Sequence, residues 1–231
     1  MTTELDILHE DNHCIAVFKP AGVLTTHYEG KEETLDREVK QYLKERYQKP
    51  GNVFLGVVHR LDRAVSGVVL FARTSKAAAR LSQQFREGNV EKIYWGMVEG
   101  EVEQTAGSLE DWLQRNNDLG RVEVVEPRTP GSRMALLHFQ QKAVYQGLTW
   151  LELRPQTGRK HQLRVQLAHH GYPIYGDAKY GSVHTFGKAI GLHARSLTFL
   201  HPIRYEPITL TAELPRTWRG RFAYLLRENP V

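Results

Sequence analysis

The chain has 231 residues, of which 41% are hydrophobic, and its formal net charge is +5. This length and apolar content can fill a sizeable core, which excludes a chain that is disordered over most of its length. No stretch approaches the roughly 18 apolar residues of a membrane span, and the polar, acidic start lacks a signal-peptide pattern. The single cysteine, Cys14, lies in an apolar run and excludes an internal disulfide or a thiolate zinc site. We therefore expect a cytoplasmic protein.

Apolar, β-rich runs recur along the chain and predict a large sheet. In chain order they cover residues 14–18, 53–58, 67–72, 93–98, 121–125, 135–139, 148–153 and 207–212. Apolar residues at helical spacing predict helices over 34–48, 75–88 with a serine cap, and 158–170, the last ended by Gly171. Strands follow strands too often for a doubly wound parallel sheet. The predicted class is α+β, with a long, mixed, mostly antiparallel sheet and flanking helices.

The charge is unevenly distributed. Between Pro127 and Gly176 there is one carboxylate, Glu152, against seven lysines and arginines. Such a span favours nucleic acid as a partner, while a solvated basic face remains the alternative. The chain has no internal repeat and no linker-like segment, so a single domain over residues 1–231 is the simplest organisation.

A short polar loop interrupts two β-like runs at residues 59–63. It contains Asp62 between Arg60 and Arg63. Nearby guanidinium charge favours the ionised carboxylate, which is a usable nucleophile or base. A buried structural ion pair is the alternative reading of the same residues.

Tyr94 lies in the β run 93–98, with Ile93 and Trp95 expected on the opposite face. An aromatic residue in such a run is either part of the core or a platform on which a base stacks.

The segment 153–181 is the richest in polar motifs. Thr157 and Gly158 open the predicted third helix, so Arg159 and Lys160 are expected beside its N-terminal amides, in an arrangement suited to phosphate. Arg164 is expected on a different face from the buried leucines of that helix. The adjacent His169 and His170 diverge on a helix and predict no metal site.

Together these segments resemble the pseudouridine synthases of the RluA family. The matches are Lys19-Pro20-Ala21-Gly22, His59-Arg60-Leu61-Asp62 with Ser66-Gly67, Lys92-Ile93-Tyr94, Thr157-Gly158-Arg159 with His161-Gln162-Leu163-Arg164, Pro173-Ile174 with Gly176-Asp177, and Leu192-His193-Ala194. The likeness covers nearly the whole chain, without the additional N-terminal RNA-binding domain of some members. It implies the pseudouridine-synthase fold with an RNA-binding cleft across the sheet. It further implies isomerisation of a uridine in structured transfer or ribosomal RNA, without cofactor or metal.

The resemblance also implies roles for particular residues. Asp62 is similar to the catalytic aspartate, Tyr94 to the aromatic that packs on the target base, and Arg164 to the ion-pair partner of the aspartate. Arg60 matches the arginine that fills the space left by the flipped nucleotide. The expected RNA-binding residues are Arg60, Arg159, Lys160 and His161. Whether the aspartate attacks the base, attacks the sugar, or acts as a base toward a glycal intermediate stays open.

Two positions depart from the family pattern. Val65 stands where threonine is usual and Gln166 where histidine is common, which affects the expected loop geometry and RNA contacts rather than the catalytic residues.

Two rival functions are a non-catalytic RNA-binding protein and a nucleosidase-type hydrolase. Most such hydrolases use two carboxylates, and only Asp62 qualifies clearly here. We expect the protein to be a monomer.

Overall fold

The computed structural model describes residues 5–26 and 32–227. The chain forms two compact units. Unit 1 contains the described residues up to Glu91 together with Ala194–Glu213, and unit 2 contains Lys92–His193 and the described residues from Leu214 onward. Since the chain leaves unit 1 and later returns to it, neither unit is one continuous segment. The expectation of a single domain over residues 1–231 stays a prediction.

The regular elements confirm the predicted α+β class. The strands are β1 (Ile7–Glu10), β2 (Cys14–Lys19), β3 (Gly56–Val57), β4 (Ser66–Ala72), β5 (Glu91–Glu99), β6 (Ala106–Asn116), β7 (Arg121–Val125), β8 (Arg133–Tyr145), β9 (Leu148–Pro155), β10 (Leu192–Leu200) and β11 (Pro207–Thr211). The helices are α1 (Leu35–Arg46), α2 (Ser75–Glu87), α3 (Gln162–His169), α4 (Arg216–Arg221) and α5 (Ala223–Arg227). Within the described residues, no helix has the length and apolar character needed to cross a membrane.

In unit 1, antiparallel pairs join β1 to β2, β2 and β3 to β4, and β11 to β10. Every second side chain of a strand points to the same face, and one such face forms a core together with α2. Its buried members include Cys14, Ala16, Val68, Leu70, Ala77, Leu81, Leu197 and Phe199. The β2–β4 register places Lys19 opposite Gly67.

Helices α1 and α2 form close to the predicted ranges because their apolar residues repeat at helical spacing. In α1 this spacing buries Leu35, Val39 and Leu43. The expected serine cap of α2 is wrong by one residue, since the hydroxyl of Thr74 accepts the backbone N–H of Ala77 at 3.2 Å. Gly88 ends α2 in the left-handed conformation, as the glycine signal predicts.

In unit 2, strands β5, β9, β8, β6 and β7 form an antiparallel sheet in that order. Helices α4 and α5 contribute Trp218 and Leu225 to a buried cluster around Trp150 of β9, together with Phe222 between the two helices. Helix α3 contributes Val165 to a second cluster with Leu113 of β6.

Sequence patterns did not identify every strand. The run 53–58 forms only the two residues of β3, and β1, β6 and β10 were not predicted as strands. Strand β6 lacks clean alternation because Asp111 occupies a buried position, where its carboxylate accepts a hydrogen bond from Gln166 Nε2 at 2.7 Å. When strands are predicted from hydrophobicity alone, a buried polar residue of this kind makes the strand look like a loop.

A hydrogen-bond network around Asp11 holds the turn between β1 and β2. Its Oδ1 accepts the backbone N–H groups of His13 at 2.7 Å and Cys14 at 2.9 Å. Its Oδ2 lies 2.9 Å from Nε2 of the fully buried His201. The Nδ1 of His201 accepts two backbone N–H groups of the following turn, so its Nε2 carries the proton and donates to Asp11. Burial by itself raises the pKa of Asp11, but hydrogen bonds from Cys14, His13 and His201 outweigh it and lower that pKa well below its usual range.

We expect Asp11→Ala to lower the free energy of unfolding by about 3 kcal/mol at pH 7, because two charge-assisted backbone hydrogen bonds and the His201 contact are lost. The pKa of Asp11 is lowered on folding, so its stabilisation is complete above about pH 5 and is lost as the pH falls through the folded value. Urea unfolding of both proteins between pH 7 and pH 3 measures the difference. Asp6→Ala, which removes an exposed carboxylate of the same unit, is the control. An equal loss of unfolding free energy in the Asp11 and Asp6 variants would contradict the stabilising role of Asp11.

Candidate active site

The loop that carries Asp62 is held by hydrogen bonds to Thr25 and by a turn of its own. The hydroxyl of Thr25 donates to the carbonyl of Leu61 at 3.0 Å and accepts the N–H of Leu61 at 3.2 Å. The Asp62 carbonyl accepts the N–H of Val65 at 3.0 Å, which closes the turn. Asp62 itself is half-buried and Arg60 is exposed. The carboxylate therefore lies in a fixed loop that water still reaches.

The buried cation beside this loop is Lys19, at the end of β2. Its side chain is fully buried, and its Nζ donates to the carbonyls of Pro20, Val23 and Arg63 at 3.0, 2.8 and 3.2 Å. Burial lowers the pKa of Lys19 to about 7, while the negative charge of Asp62 acts in the opposite direction. Sequence analysis identified Lys19-Pro20-Ala21-Gly22 only as a motif of the resemblance and did not predict this contact. A lysine that directly follows an apolar β run was the available signal.

The arginine that follows Asp62 fixes the loop from the other side. Arg63 donates from Nε to the carbonyl of Gly22 at 2.9 Å and pairs through Nη2 with Glu32 at 2.5 Å. The expectation that two flanking guanidinium groups stabilise the ionised Asp62 stays a prediction. The side chain of Arg63 reaches Gly22 and Glu32, and the buried ammonium of Lys19 is the cation that the fold adds.

Gly67 follows the same loop at the start of β4 and must be glycine. Its φ is +124°, and a Cβ there would lie 2.2 Å from the carbonyl oxygen of Ala194. Lys19 is its partner across the strand pair. Residues of three matched motifs, Lys19, Gly67 and Ala194, thus meet beside the Asp62 loop, although they are 48 and 127 residues apart in the sequence.

In unit 2, Tyr94 lies on β5 opposite Leu153 of β9. Its neighbours Ile93 and Trp95 pack into the cluster around Trp150. This confirms the prediction that they lie on the opposite face of the strand from Tyr94. Tyr94 is half-buried on the other face. Lys92, two residues earlier on that face, donates to the carbonyl of Thr157 at 3.4 Å, and burial lowers its pKa.

Arg164 of α3 forms a buried, bidentate ion pair with Asp177. Nε lies 2.6 Å from Oδ2 and Nη2 lies 2.8 Å from Oδ1. The side chain of Asp177 is 2% exposed and that of Arg164 is 10% exposed. Two parallel hydrogen bonds fix the plane of the guanidinium as well as its position. Asp177, which sequence analysis identified only as part of the Gly176-Asp177 motif, thus determines where Arg164 points.

Tyr180 covers the guanidinium of Arg164 and links it to His161. The Arg164 Cζ lies 5.1 Å from the centre of the Tyr180 ring. The Tyr180 hydroxyl accepts the backbone N–H of Val122 at 3.1 Å and lies 2.8 Å from Nδ1 of His161. His161, expected to bind RNA, therefore has a structural contact within unit 2.

Removing the Asp177 carboxylate leaves the Arg164 charge buried without this partner. We expect Asp177→Ala to lower the free energy of unfolding by about 3–5 kcal/mol, the usual cost of breaking a buried ion pair. Urea unfolding measures the loss, and Glu110→Ala on the exposed face of β6 is the control, expected to change stability by less than about 0.5 kcal/mol. A loss below about 1 kcal/mol for Asp177→Ala would mean that solvent, not Asp177, neutralises Arg164.

The predicted start of the third helix, at Gly158, is wrong. Helix α3 begins at Gln162, and His161 before it adopts a left-handed conformation with φ of 53°. The buried Gln162 accepts, at Oε1, hydrogen bonds from the Thr157 hydroxyl at 2.8 Å and the Arg159 N–H at 3.0 Å, which hold residues 157–161 in a turn. Arg159 and Lys160 therefore precede the helix. Arg159 donates from Nε to the Met134 carbonyl at 3.0 Å.

Both departures from the family pattern lie in the interior. Val65 is 3% exposed and Gln166 is fully buried. Gln166 Nε2 donates to the carbonyl of Leu109 at 3.1 Å and to Asp111, so it ties α3 to β6. An RNA contact by Gln166 is therefore excluded, and the substitution changes packing beneath the helix.

Comparison with known proteins identifies the class of enzyme. The family described as RNA pseudouridylate synthase matches residues 13–169. The tRNA pseudouridine synthase C of Haemophilus ducreyi is 33% identical over 238 residues, which cover 95% of each chain. The ribosomal large subunit pseudouridine synthase C of Buchnera aphidicola is 33% identical over 216 residues, 90% of this chain and 66% of that protein. The solved structure of human RNA pseudouridylate synthase domain containing 4 is similar in fold, with a TM-score of 0.77 over 96% of this chain and 92% of that one at 24% identity.

The chain therefore belongs to the RNA pseudouridylate synthase family. It is an RNA pseudouridine synthase, an isomerase, as the sequence resemblance implied, and it has the pseudouridine-synthase fold. Neither the non-catalytic RNA-binding protein nor the nucleosidase is favoured by these matches.

Proposed function

We propose that the enzyme converts a uridine of transfer RNA to pseudouridine, with Asp62, Tyr94 and Arg164 as its catalytic residues. The observation that carries the proposal is the half-buried Asp62 carboxylate in a loop fixed by the buried ammonium of Lys19. A carboxylate in a fixed loop is suited to act as a nucleophile or a general base.

The reaction exchanges one bond for another and needs no external reagent. The bond between C1′ of the ribose and N1 of uracil breaks, a bond between C1′ and C5 forms, the proton on C5 is released to solvent, and N1 takes up a proton. Asp62 would act at the sugar or at the base while the uracil is detached. Arg164, whose guanidinium plane is fixed by Asp177, is proposed as the cationic catalytic residue.

An enzyme that acts on a base must first extrude it from the stack, at a cost of a few kcal/mol. Tyr94 is half-buried and does not belong to the cluster around Trp150, which supports the proposal that its ring stacks on the extruded uracil. The exposed Arg60 would fill the space that the base has left.

Transfer RNA is proposed as the substrate class because the relative that this chain matches over 95% of both lengths is a tRNA pseudouridine synthase. Ribosomal RNA is the second candidate, on account of the Buchnera relative, which this chain covers over 66% of its length. Mapping pseudouridines in RNA from cells with and without the gene distinguishes the two. A site lost from ribosomal RNA alone would overturn the choice of transfer RNA.

Tritium release from RNA labelled at C5 of uridine tests the activity. Isomerisation releases tritium into water and leaves the nucleoside in the chain. A hydrolase would instead release free uracil, and a binding protein would do neither. Incubation with unmodified transcripts of transfer RNA and of ribosomal RNA fragments covers both substrate classes.

Lys160 is exposed immediately before α3 and is proposed, with Arg159 and His161, to contact RNA. We expect Lys160→Ala to weaken binding to many RNAs about equally and to reduce the salt dependence of the affinity by about one counterion. Filter binding at several salt concentrations measures the slope. Lys188→Ala removes another exposed lysine of unit 2 and is the control. An unchanged slope for Lys160→Ala would place this turn away from the RNA.

A further inference from the structure

Lys92 of β5 is a cation of unit 2 that the fold satisfies only weakly. Its side chain is half-buried, and its Nζ donates to the carbonyl of Thr157 at 3.4 Å, longer than a usual hydrogen bond. An ammonium carries three N–H groups, so two remain for other partners. Within the described part of the chain, no carboxylate pairs with Lys92 and no charged neighbour offsets the effect of burial, which lowers its pKa. The charge of Lys92 thus lacks a counterion among these residues.

Lys19 of unit 1 shows how a lysine with a structural role is satisfied. Its Nζ donates to three carbonyls at 2.8–3.2 Å, and the negative charge of Asp62 opposes the effect of burial on its pKa. Lys92 has one such hydrogen bond and no such charge beside it. Since a charge taken partly out of water costs free energy unless a partner replaces the water, Lys92 is suited to a ligand that brings negative charge.

Lys92 lies between two features that the proposed function assigns to RNA. Side chains two residues apart on a strand share a face, so Lys92 and Tyr94 are neighbours with Cα atoms about 6.6 Å apart. The ammonium reaches the carbonyl of Thr157, which begins the 157–161 turn proposed to contact RNA. Gly158, the next residue, is exposed, and a Cβ there would meet no atom within 4 Å. A ligand can therefore approach the turn closely at this point.

We propose that the ammonium of Lys92 binds a phosphate oxygen of the target nucleotide, whose base stacks on Tyr94. The inference rests on the proposed function, in which the extruded uracil lies against Tyr94. A phosphate oxygen accepts the remaining N–H groups and supplies the missing negative charge in one contact. The contact holds the backbone of the target nucleotide in place while its base is out of the stack. Lys92 is therefore a substrate-binding residue of the pseudouridine synthase reaction.

The first test compares two single variants of the full-length enzyme. Lys92→Met removes the ammonium and keeps an unbranched side chain. Lys179→Met is the control, because Lys179 also donates to a backbone carbonyl of unit 2, that of Gly120 at 2.7 Å, but is exposed. Filter binding of an unmodified transfer RNA transcript at several salt concentrations gives the affinity and its salt slope.

We expect Lys92→Met to weaken RNA binding about 10- to 100-fold, the range for one hydrogen bond to a charged group. The salt slope should fall by about 0.7–0.9, the value for one phosphate contact. The control variant should change both quantities much less. A salt slope for Lys92→Met equal to that of the unaltered enzyme would overturn the phosphate assignment.

Melting temperatures distinguish this role from a structural one. Methionine removes a half-buried charge that lacks a counterion, so Lys92→Met is expected to melt at the temperature of the unaltered enzyme or above it. A lower melting temperature with an unchanged affinity would show that Lys92 only holds the 157–161 turn, and the proposal would be wrong.

The second test removes the charge from the RNA instead of the protein. A transfer RNA assembled with one methylphosphonate linkage, on the 5′ or the 3′ side of the mapped target uridine, lacks a single phosphate charge. We expect one of these two RNAs to bind the unaltered enzyme about 10-fold or more weakly and to bind Lys92→Met no worse than the unsubstituted RNA does, because that contact is already lost. Losses that multiply independently for both linkages would contradict a contact between Lys92 and the target nucleotide.

The outcomes separate the phosphate contact from the proposed function. Normal RNA affinity of Lys92→Met with slower tritium release would assign the ammonium to the chemical step and overturn the phosphate assignment. Absence of tritium release from every RNA by the unaltered enzyme would overturn the proposed function instead, while the salt slopes still decide whether Lys92 meets a phosphate.

Discussion

Asp62→Asn is expected to reduce tritium release by about 10⁴-fold or more, the scale of loss when a nucleophile or essential base is removed. Asparagine keeps the shape of the side chain and cannot attack carbon or accept a proton. Because the loop is held by Thr25 and Lys19 through backbone atoms of its residues, the variant is expected to keep its fold and its RNA affinity. Single-turnover tritium release with saturating enzyme, beside filter binding, measures both properties.

The structural reading of Asp62 makes the opposite prediction. If the carboxylate serves only to neutralise buried charge, its loss should lower the melting temperature and leave turnover near normal. Asp62 also opposes the effect of burial on Lys19, so Asp62→Asn should lower the pKa of Lys19 further. Asp118→Asn, which alters an exposed carboxylate of unit 2, is the matched control. Substantial turnover by Asp62→Asn would show that the Asp62 carboxylate does not take part in the chemical step.

Tyr94→Phe is expected to fold and bind RNA normally but to turn over about 10²–10⁴ times more slowly, the usual contribution of a general acid or base. Phenylalanine keeps the ring that stacks on uracil and loses only the hydroxyl. Release of the C5 proton after the new carbon–carbon bond forms requires a proton acceptor, and a hydroxyl above the base is a suitable group. Tyr94 is half-buried and does not belong to the cluster around Trp150, which supports this assignment over a packing role.

Two further substitutions separate stacking, chemistry and packing at Tyr94. Tyr94→Leu removes the ring, so it should weaken RNA binding as well as turnover, by about 1–3 kcal/mol for one stacked base. Tyr224→Phe, which removes the hydroxyl of a tyrosine that is 65% exposed in the same unit, is expected to change neither property. A near-normal rate for Tyr94→Phe with normal stability would leave Tyr94 as a stacking residue without an acid–base role.

Some residues of the candidate site could be predicted from local sequence patterns. Asp62 and Arg60 were identified because charges between two apolar β runs break the expected alternation. Tyr94 was assigned to the correct side of its strand because side chains alternate along β5 with a period of two. These are local rules, and they depend only on residues close in the chain.

The partners of these residues did not follow from any local rule. Lys19 precedes Arg63 by 44 residues and Asp177 follows Arg164 by 13, so their contacts exist only after strands and loops have packed. The start of α3 was misplaced for the same reason. Thr157 and Gly158 resemble a helix start. The buried side chain of Gln162, however, accepts hydrogen bonds from Thr157 and Arg159, and the helix begins only at residue 162.

The sequence by itself determined the α+β class, the two N-terminal helices, the motifs and, through their order and spacing, the enzyme family. Those features depend on side-chain periodicity and on residue identities, which are properties of the sequence and do not require the folded structure. Only the tertiary structure decided that Lys19 lies against the Asp62 loop, that Asp177 fixes the plane of the Arg164 guanidinium, and that Gln166 is interior. A buried charge or amide is stable only where partners from distant segments satisfy it, and those partners are set by the packing of the whole fold.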